Sequence, residues 1–204
     1  LILPLQMILP FVMEQAEAMR EAIPAFESGQ PVGDGIGPMV VGKMMLNCEK
    51  QILSFQTALA KTDFENRQLF LLKAEGPGST VGRPADALEK IVSENTINAI
   101  IMVDAALKME GEESASVAQG FGAAIGGIGT ERFQIEAVAT TKNIPVFSIV
   151  VKQSVKEAIT LMTKEIADKA DDTRLQVYEM IKENTKEGQS IVVIGVGNTV
   201  GVPQ

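Results

Sequence analysis

The run INAIIMVDAAL, residues 97–107, decides how this chain is expected to fold. It has the length of one strand, is almost entirely apolar, and contains a single charged residue, Asp104. Runs of this kind are typical of strands in a parallel sheet, because helices bury such strands on both faces. A carboxylate is therefore unusual here, and we predict that Asp104 ends the strand at the edge of the sheet where ligands bind.

Similar runs recur along the chain. RQLFLLKAEG (67–76), IPVFSIVV (144–151) and SIVVIGVG (190–197) are predicted to form further buried strands, with helical patterns between them. This alternation predicts an α/β fold, a three-layer α/β/α arrangement with a mostly parallel sheet and an N-terminal helix. We expect two parts, an apolar and amphipathic helical segment over residues 1–24 and the α/β/α domain over residues 25–204.

The first 13 residues, LILPLQMILPFVM, are apolar except for Gln6. They fall short of the ~20 residues that cross a bilayer. Pro4 and Pro10 argue against one unbroken helix, so a helix is predicted only after Pro10, ending at Pro24. Two interpretations remain open. The segment is the end of a membrane anchor of a longer protein on the cytoplasmic side, or it is a helix buried in the core or between the subunits of a homo-oligomer.

Composition narrows the possible chemistry. The net charge of −8 and the absence of a long basic run make a nucleic-acid partner unlikely. The chain has no histidine, which excludes Ser–His and Cys–His nucleophile systems and imidazole ligands for a metal. Cys48 is the one cysteine, so no internal disulfide can form and a reducing compartment is favoured. Acid–base chemistry is left to carboxylates, Lys, Tyr or Cys48.

The segment GDGIGP, residues 33–38, places one carboxylate among three glycines just before a helical pattern. Asp34 could cap that helix, face a phosphate, bind a metal or act in acid–base chemistry. We expect Asp34 and Asp104 to lie at the same edge of the sheet. Two neighbouring carboxylates raise the pKa of one and keep the other ionised, as in an acid–base pair. They could equally share a divalent cation such as Mg²⁺, Mn²⁺ or Ca²⁺.

Other glycine-rich turns and polar residues after strands are candidates for ligand-binding loops. The candidate loop residues are Gly33, Gly35, Glu75, Gly126, Gly127, Gly129, Gly197 and Asn198. The turn GGIGTE (126–131) could offer backbone N–H groups to an anion, or it could be a tight turn with Thr130 as helix N-cap. GVGN (195–198) lacks the last glycine of a dinucleotide-binding fingerprint. Arg83 and Arg132 are the only basic candidates near these turns for holding a phosphate.

The order of five motifs resembles two related families. GDGIGPMVVGKMM, GPGSTVGRPADALEKI, AIIMVDAALKMEG, GGIGTERFQIEAVATTKNIPVFSIVV and SVKEAITLM follow one another over residues 33–161, as in the spore germination endopeptidases and the hydrogenase maturation endopeptidases. The whole chain also looks like an uncharacterised archaeal family whose longer members carry an N-terminal membrane anchor. The resemblance implies a phosphorylase/hydrolase-like fold, with Asp34 as the first catalytic or metal-binding acid and Asp104 as the second.

The chain departs from that pattern in two ways. It lacks the histidine of the hydrogenase-type enzymes, and its G-V-G-N strand lies at the C-terminus, whereas the families place it before the acid–glycine loop. A circular permutation would reconcile the order, since the strand over residues 190–197 would then bring Gly197 and Asn198 beside Asp34.

Together these observations predict a carboxylate-dependent hydrolase, possibly peptidase-like, that acts on a small molecule or a peptide. In this prediction Asp34 and Asp104 are the catalytic acids, and Glu75 and Asn198 support them. The alternative is a non-catalytic ligand-binding or scaffolding module of the same fold, associated with a membrane in the full-length protein.

Overall fold

A computed structural model describes residues 2–123 and 130–203, which form one seven-stranded sheet with helices on both faces. The strands are β1 (Lys50–Ser54), β2 (Thr57–Phe64), β3 (Arg67–Ala74), β4 (Ala99–Leu107), β5 (Val117–Phe121), β6 (Val146–Gln153) and β7 (Ser190–Gly195). The α-helices are α1 (Ile2–Glu27), α2 (Ile36–Met44), α3 (Pro84–Glu94), α4 (Glu131–Thr141), α5 (Val155–Ile159) and α6 (Lys164–Asn184). A 3₁₀ turn, Gly33–Gly35, precedes α2.

The strand order is β1-β2-β3-β7-β4-β6-β5. Strands β3, β7, β4 and β6 run parallel, and antiparallel pairing adds β2 and β1 on one side and β5 on the other. The predicted α/β fold with an N-terminal helix is confirmed. The last strand, β7, lies between β3 and β4, the position that the permutation hypothesis requires.

Side-chain alternation along the central strands creates two cores. In β4, Ile101 and Val103 pack towards α2 and α6, whereas Ile100 and Met102 pack towards α3 and α4. Successive side chains of a strand point to opposite faces, so Asp104 falls on the α3 and α4 side. The sheet therefore presents this carboxylate to a helix that covers its face.

Strand β4 does not end at Asp104, which corrects the prediction from its sequence. It continues to Leu107 because β6 runs beside it as far as Gln153 and pairs with its backbone. The neighbouring β7 stops at Gly195, level with Val103. Asp104 thus lies one residue beyond the level at which β7 ends, in the part of β4 that continues beside β6. We call this position the step in the sheet.

Helix α1 is continuous from Ile2 to Glu27, so the prediction of a helix starting after Pro10 and ending at Pro24 is wrong. Pro4 lies in the first turn, where an N–H group has no intrahelical partner in any case. Pro10 and Pro24 each remove one hydrogen bond without ending the helix, and α1 stops one turn after Pro24.

The two halves of α1 have different surroundings. In the second half Ala18, Ala22 and Ala25 are buried, α1 packs on α5, and Lys156 forms an ion pair with Glu21. Large apolar side chains in the first half are exposed to solvent. Within residues 2–123 and 130–203, no helix combines the length and the apolar character needed to cross a bilayer.

Candidate functional site

The N-terminal end of α2 lies directly on the step in the sheet. A side chain on Gly37 would collide with the carbonyl oxygens of Val103 in β4 and of Val196 after β7. Only glycine permits this approach, and the preceding 3₁₀ turn therefore holds Asp34 over the end of β7. The GDGIGP segment and the strand that carries Asp104 meet here, as the sequence predicted.

The other glycines around Asp34 face the protein's own backbone. Gly33 lies against a carbonyl of α5, and a Cβ on Gly35 would come within 2.8 Å of the Asn198 carbonyl oxygen. Gly197 has a φ of +138° and lies against the Asp34 carbonyl. Close packing of three chain segments around Asp34 accounts for these glycines, and the chain itself fills the space that they leave.

Asp34 is half-buried and held by one backbone donor. Its Oδ2 accepts the N–H of Asn198 at 2.8 Å. The Asn198 side chain points elsewhere: its Nδ2 donates to Ser79 Oγ at 3.0 Å and its Oδ1 accepts the N–H of Val200 at 2.9 Å. Burial raises the pKa of Asp34, and the Asn198 N–H and the charge of Arg132 partly oppose that rise.

Asp104 is 1% exposed and is bound by Arg132, the second residue of α4. Arg132 Nε forms an ion pair with Asp104 Oδ2, and its Nη2 donates to the Ala105 carbonyl at 2.9 Å. Asp104 Oδ1 accepts the N–H of Ala105 at 2.7 Å. The Arg132 side chain remains partly accessible, with 24% of its surface exposed.

The charges of Arg132 and Asp34 both act on Asp104. Burial, the largest effect, raises the pKa of Asp104 to about 7; the Arg132 guanidinium opposes the rise, and the negative charge of Asp34 adds to it. Arg132 likewise lowers the pKa of Asp34. Asp104 therefore combines a pKa raised towards neutrality with Arg132 as its counterion.

These residues do not fit a tightly held cation. Mg²⁺, Mn²⁺ and Ca²⁺ take six or more oxygen ligands, whereas this site offers two carboxylates, and a guanidinium already neutralises one of them. In the described part of the chain, no group of three His, Cys, Asp or Glu residues could hold a metal.

The remaining candidate residues are Glu75 and those of the glycine-rich turn before α4. Glu75 follows β3 and lines a polar cleft of about 220 Å³ with Ser79, which also contacts Asn198. No hydrogen bond or ion pair among the described residues joins Glu75 to either aspartate. Gly126, Gly127 and Gly129 lie outside the described residues. Thr130 is the N-cap of α4, since its side chain accepts the N–H of Phe133.

Sequence reasoning missed two features of this region. It named Arg132 only as a possible phosphate ligand, but the structure makes it the counterion of Asp104. It also passed over Lys73, a fully buried lysine in β3 whose Nζ donates to the Ala74 carbonyl at 3.0 Å. Burial lowers the pKa of Lys73 to about 8. The available signal was a charged residue inside an otherwise apolar strand sequence, Asp104 in β4 and Lys73 in β3.

Comparisons with known proteins identify a family but no activity. No protein with a curated description matches the sequence. A crystal structure of a protein of unknown function from Corynebacterium glutamicum ATCC 13032 is similar at 11% identity and a TM-score of 0.35, over 72% of this chain and 70% of that one. These findings do not add support to the resemblance to endopeptidases. Residues 32–203 match a family profile, and the chain belongs to the family described as "Domain of unknown function (DUF1512) C-terminal".

Proposed function

We propose that this chain is a metal-free, carboxylate-dependent hydrolase that cleaves a peptide or another small amide or ester. The observation that supports the proposal is the position of Asp104 at the step in the sheet, where Arg132 binds it and the charges of Arg132 and Asp34 act on its pKa in opposite directions. The raised pKa of Asp104 gives it a large protonated fraction near neutral pH. The motif resemblance to endopeptidases supports the same two residues as the reacting acids.

The environments of the two carboxyl groups suggest different roles. Asp34 is half-buried and accepts the N–H of Asn198, and the proposal assigns it the role of the general base that activates water. Asp104 carries the proton and acts as the general acid towards the leaving group. Pairs of titratable groups with unequal environments divide acid and base roles in this way.

Arg132 positions Asp104 and controls its access. In the observed arrangement the guanidinium and the Ala105 amide engage both oxygens of Asp104. Asp104 can therefore bind a proton and deliver it only after the Arg132 side chain swings away from the carboxylate, and the freed guanidinium can then polarise a substrate carbonyl. Asn198 keeps Asp34 in place with its backbone N–H, and Glu75 lies in the neighbouring cleft as a contact for substrate groups further away.

Location and partners belong to the same proposal. The exposed apolar start of α1 supports attachment of the full-length protein to a membrane, and the proposal places the domain on the cytoplasmic side. The domain would then act on substrates that reach that surface.

The test is cleavage of a peptide library followed by mass spectrometry. We expect the wild type to produce new termini at neutral pH with EDTA present, and Asp34→Asn and Asp104→Asn each to lower the rate at least 100-fold while remaining folded. Asp86→Asn, at an exposed ion pair with Arg83, is the matched control and should retain full activity. Equal cleavage by all four proteins would identify a contaminating protease, and an inactive wild type would reject the hydrolase.

One observation favours the second candidate, a non-catalytic ligand-binding or scaffolding module. Asp104 is sealed from solvent and both of its oxygens are engaged, as in a purely structural ion pair. In that case Asp104→Asn would lower the melting temperature strongly. The absence of cleavage by the wild type, together with such a loss, would decide for the module.

A further inference from the structure

The two edge strands of the sheet are protected to different degrees. Edge strands expose unpaired backbone groups, and natural proteins protect them with lysine, proline or irregular pairing. Strand β1 carries Lys50 and has an irregularity in its register between Ile52 and Ser54. Strand β5, with the sequence VAQGF, contains no charged residue and no proline and pairs with β6 in an unbroken register. Within residues 2–123 and 130–203, no strand pairs with its outer side.

The hydrogen bonds flanking β5 establish which of its backbone groups point outward. Gly122 N–H donates to the Val146 carbonyl, and Lys152 N–H donates to the Ser116 carbonyl. In an antiparallel pair, residues that bond to the partner strand alternate with residues that do not. Even-numbered residues of β5 therefore bond to β6. The N–H and C=O groups of Val117, Gln119 and Phe121 point away from the sheet.

We infer that β5 pairs with β5 of a second copy of this chain, antiparallel about a two-fold axis at Gln119. In this register Val117 lies opposite Phe121 of the other copy, and the two Gln119 residues face each other. All three outward N–H groups of each copy then meet outward carbonyls, whereas a shift by two residues leaves some of them unpaired. An isologous interface needs such a self-complementary strand.

The side chains agree with this register. Val117 packs with the α2 and α6 core, so Val117 and Phe121 lie on that face of the sheet. Phe121 is 81% exposed, although its ring contacts Phe147 at a centroid distance of 4.6 Å. Pairing would cover it with Val117 of the other copy. Gln119 is held to its own α6, where its Nε2 donates to Gln176 Oε1 at 2.7 Å, so its side chain is fixed within its own copy.

The uncharged composition of β5 lowers the repulsion that a second copy would meet at this edge. The chain carries a net charge of −8, so two copies repel each other on average. Strand β5 is an uncharged segment on which they can approach without placing like charges opposite each other. This inference stands on the backbone pattern, the side-chain register and the uncharged composition of β5, and it is independent of the proposed hydrolase.

Sedimentation equilibrium across protein concentrations tests the pairing. We expect the wild type to reach twice its monomer mass and Gln119→Lys, which places two like charges at the axis, to weaken dimerisation at least 10-fold. Ile52→Lys introduces the same charge at an exposed position on the other edge strand and should behave like the wild type. A wild type that is monomeric at millimolar concentration, or an unaffected Gln119→Lys protein, would overturn the inference.

Amide hydrogen exchange gives a second readout that requires no substitution. The amides of Ala118 and Gly120 bond to β6 and should be protected at every concentration. Those of Val117, Gln119 and Phe121 should gain protection only at concentrations where the dimer forms. A dimer in which these three amides exchange freely would place the interface elsewhere, for example on the apolar half of α1, and would also overturn the inference.

Discussion

The two aspartates of the candidate site lie in chain segments with opposite properties. Asp104 occupies the interior of β4, is fully buried and is bound by a guanidinium and a backbone amide. Asp34 sits in a short turn before α2, is half-buried and accepts one backbone hydrogen bond. The two residues are therefore positioned in different ways. Closely packed glycines position Asp34 in the GDGIGP segment, whereas an ion pair positions Asp104 in the VDA segment.

The largest change in the free energy of unfolding should appear when the ion pair between Arg132 and Asp104 is broken. Arg132→Met leaves the Asp104 carboxylate buried without a counterion, and removing one partner of a buried pair typically destabilises a protein by about 3–5 kcal/mol. We expect a loss of that order in urea denaturation at pH 8. The loss should be smaller at pH 5, because Asp104 is then protonated in the folded state.

A matched control separates this effect from the loss of any arginine. Arg83 forms an exposed ion pair with Asp86, so Arg83→Met should change the free energy of unfolding by less than about 1 kcal/mol at either pH. Equal losses for the two variants, or a loss at Arg132 that does not change with pH, would show that Arg132 does not stabilise a buried charge.

This contrast also shows what the sequence could and could not predict. Apolar runs separated by helical patterns were sufficient for the α/β/α fold and the central position of β7. The sequence signal failed where packing decided the outcome. Strand β4 extends past Asp104 because β6 pairs with it as far as Gln153, and α1 tolerates Pro10.

At the site, the meeting of Asp34 with Gly197 and Asn198 followed from motif order and the permutation hypothesis. The pairing of Asp104 with Arg132 could not be predicted in the same way. The two residues are 28 positions apart and meet only because α4 packs across the face of β4 on which Asp104 lies. Strand β5 was also missed, since VAQGF has neither the length nor the apolar content of the central strands.

The pH dependence of the free energy of unfolding should distinguish the two carboxyl groups. The folded-state pKa of Asp104, about 7, lies above its ordinary value of 3.8. The folded protein therefore retains a proton that the unfolded chain has lost, so the contribution of Asp104 is complete below about pH 4 and is lost as the pH rises to about 7. The slope from one such group is at most ~1.4 kcal/mol per pH unit.

Substituting each residue in turn makes the comparison quantitative. Asp104→Asn should remove most of the fall in unfolding free energy between pH 4 and pH 7, measured by urea titration at several pH values. The pKa of Asp34 is raised in the same direction, but its partial exposure lets water screen the charge, so Asp34→Asn should flatten the curve less. A larger change from Asp34→Asn than from Asp104→Asn would reverse the assignment of the buried acid.

The smallest effect should be on cation binding. Without histidine, the site offers only oxygen ligands, and Arg132 competes for Asp104 with any ion that enters. Calorimetric titration of Mn²⁺ should therefore give a Kd no tighter than the ~10⁻⁴ to 10⁻³ M of weak oxygen sites. Asp34→Asn should abolish even this binding, since the remaining carboxylate is already neutralised, whereas Asp86→Asn should leave it unchanged. Sub-micromolar binding, or binding that survives Asp34→Asn, would show that other residues hold the ion. Binding that strengthens in Arg132→Met would instead identify the guanidinium as the group that occupies the place of a metal.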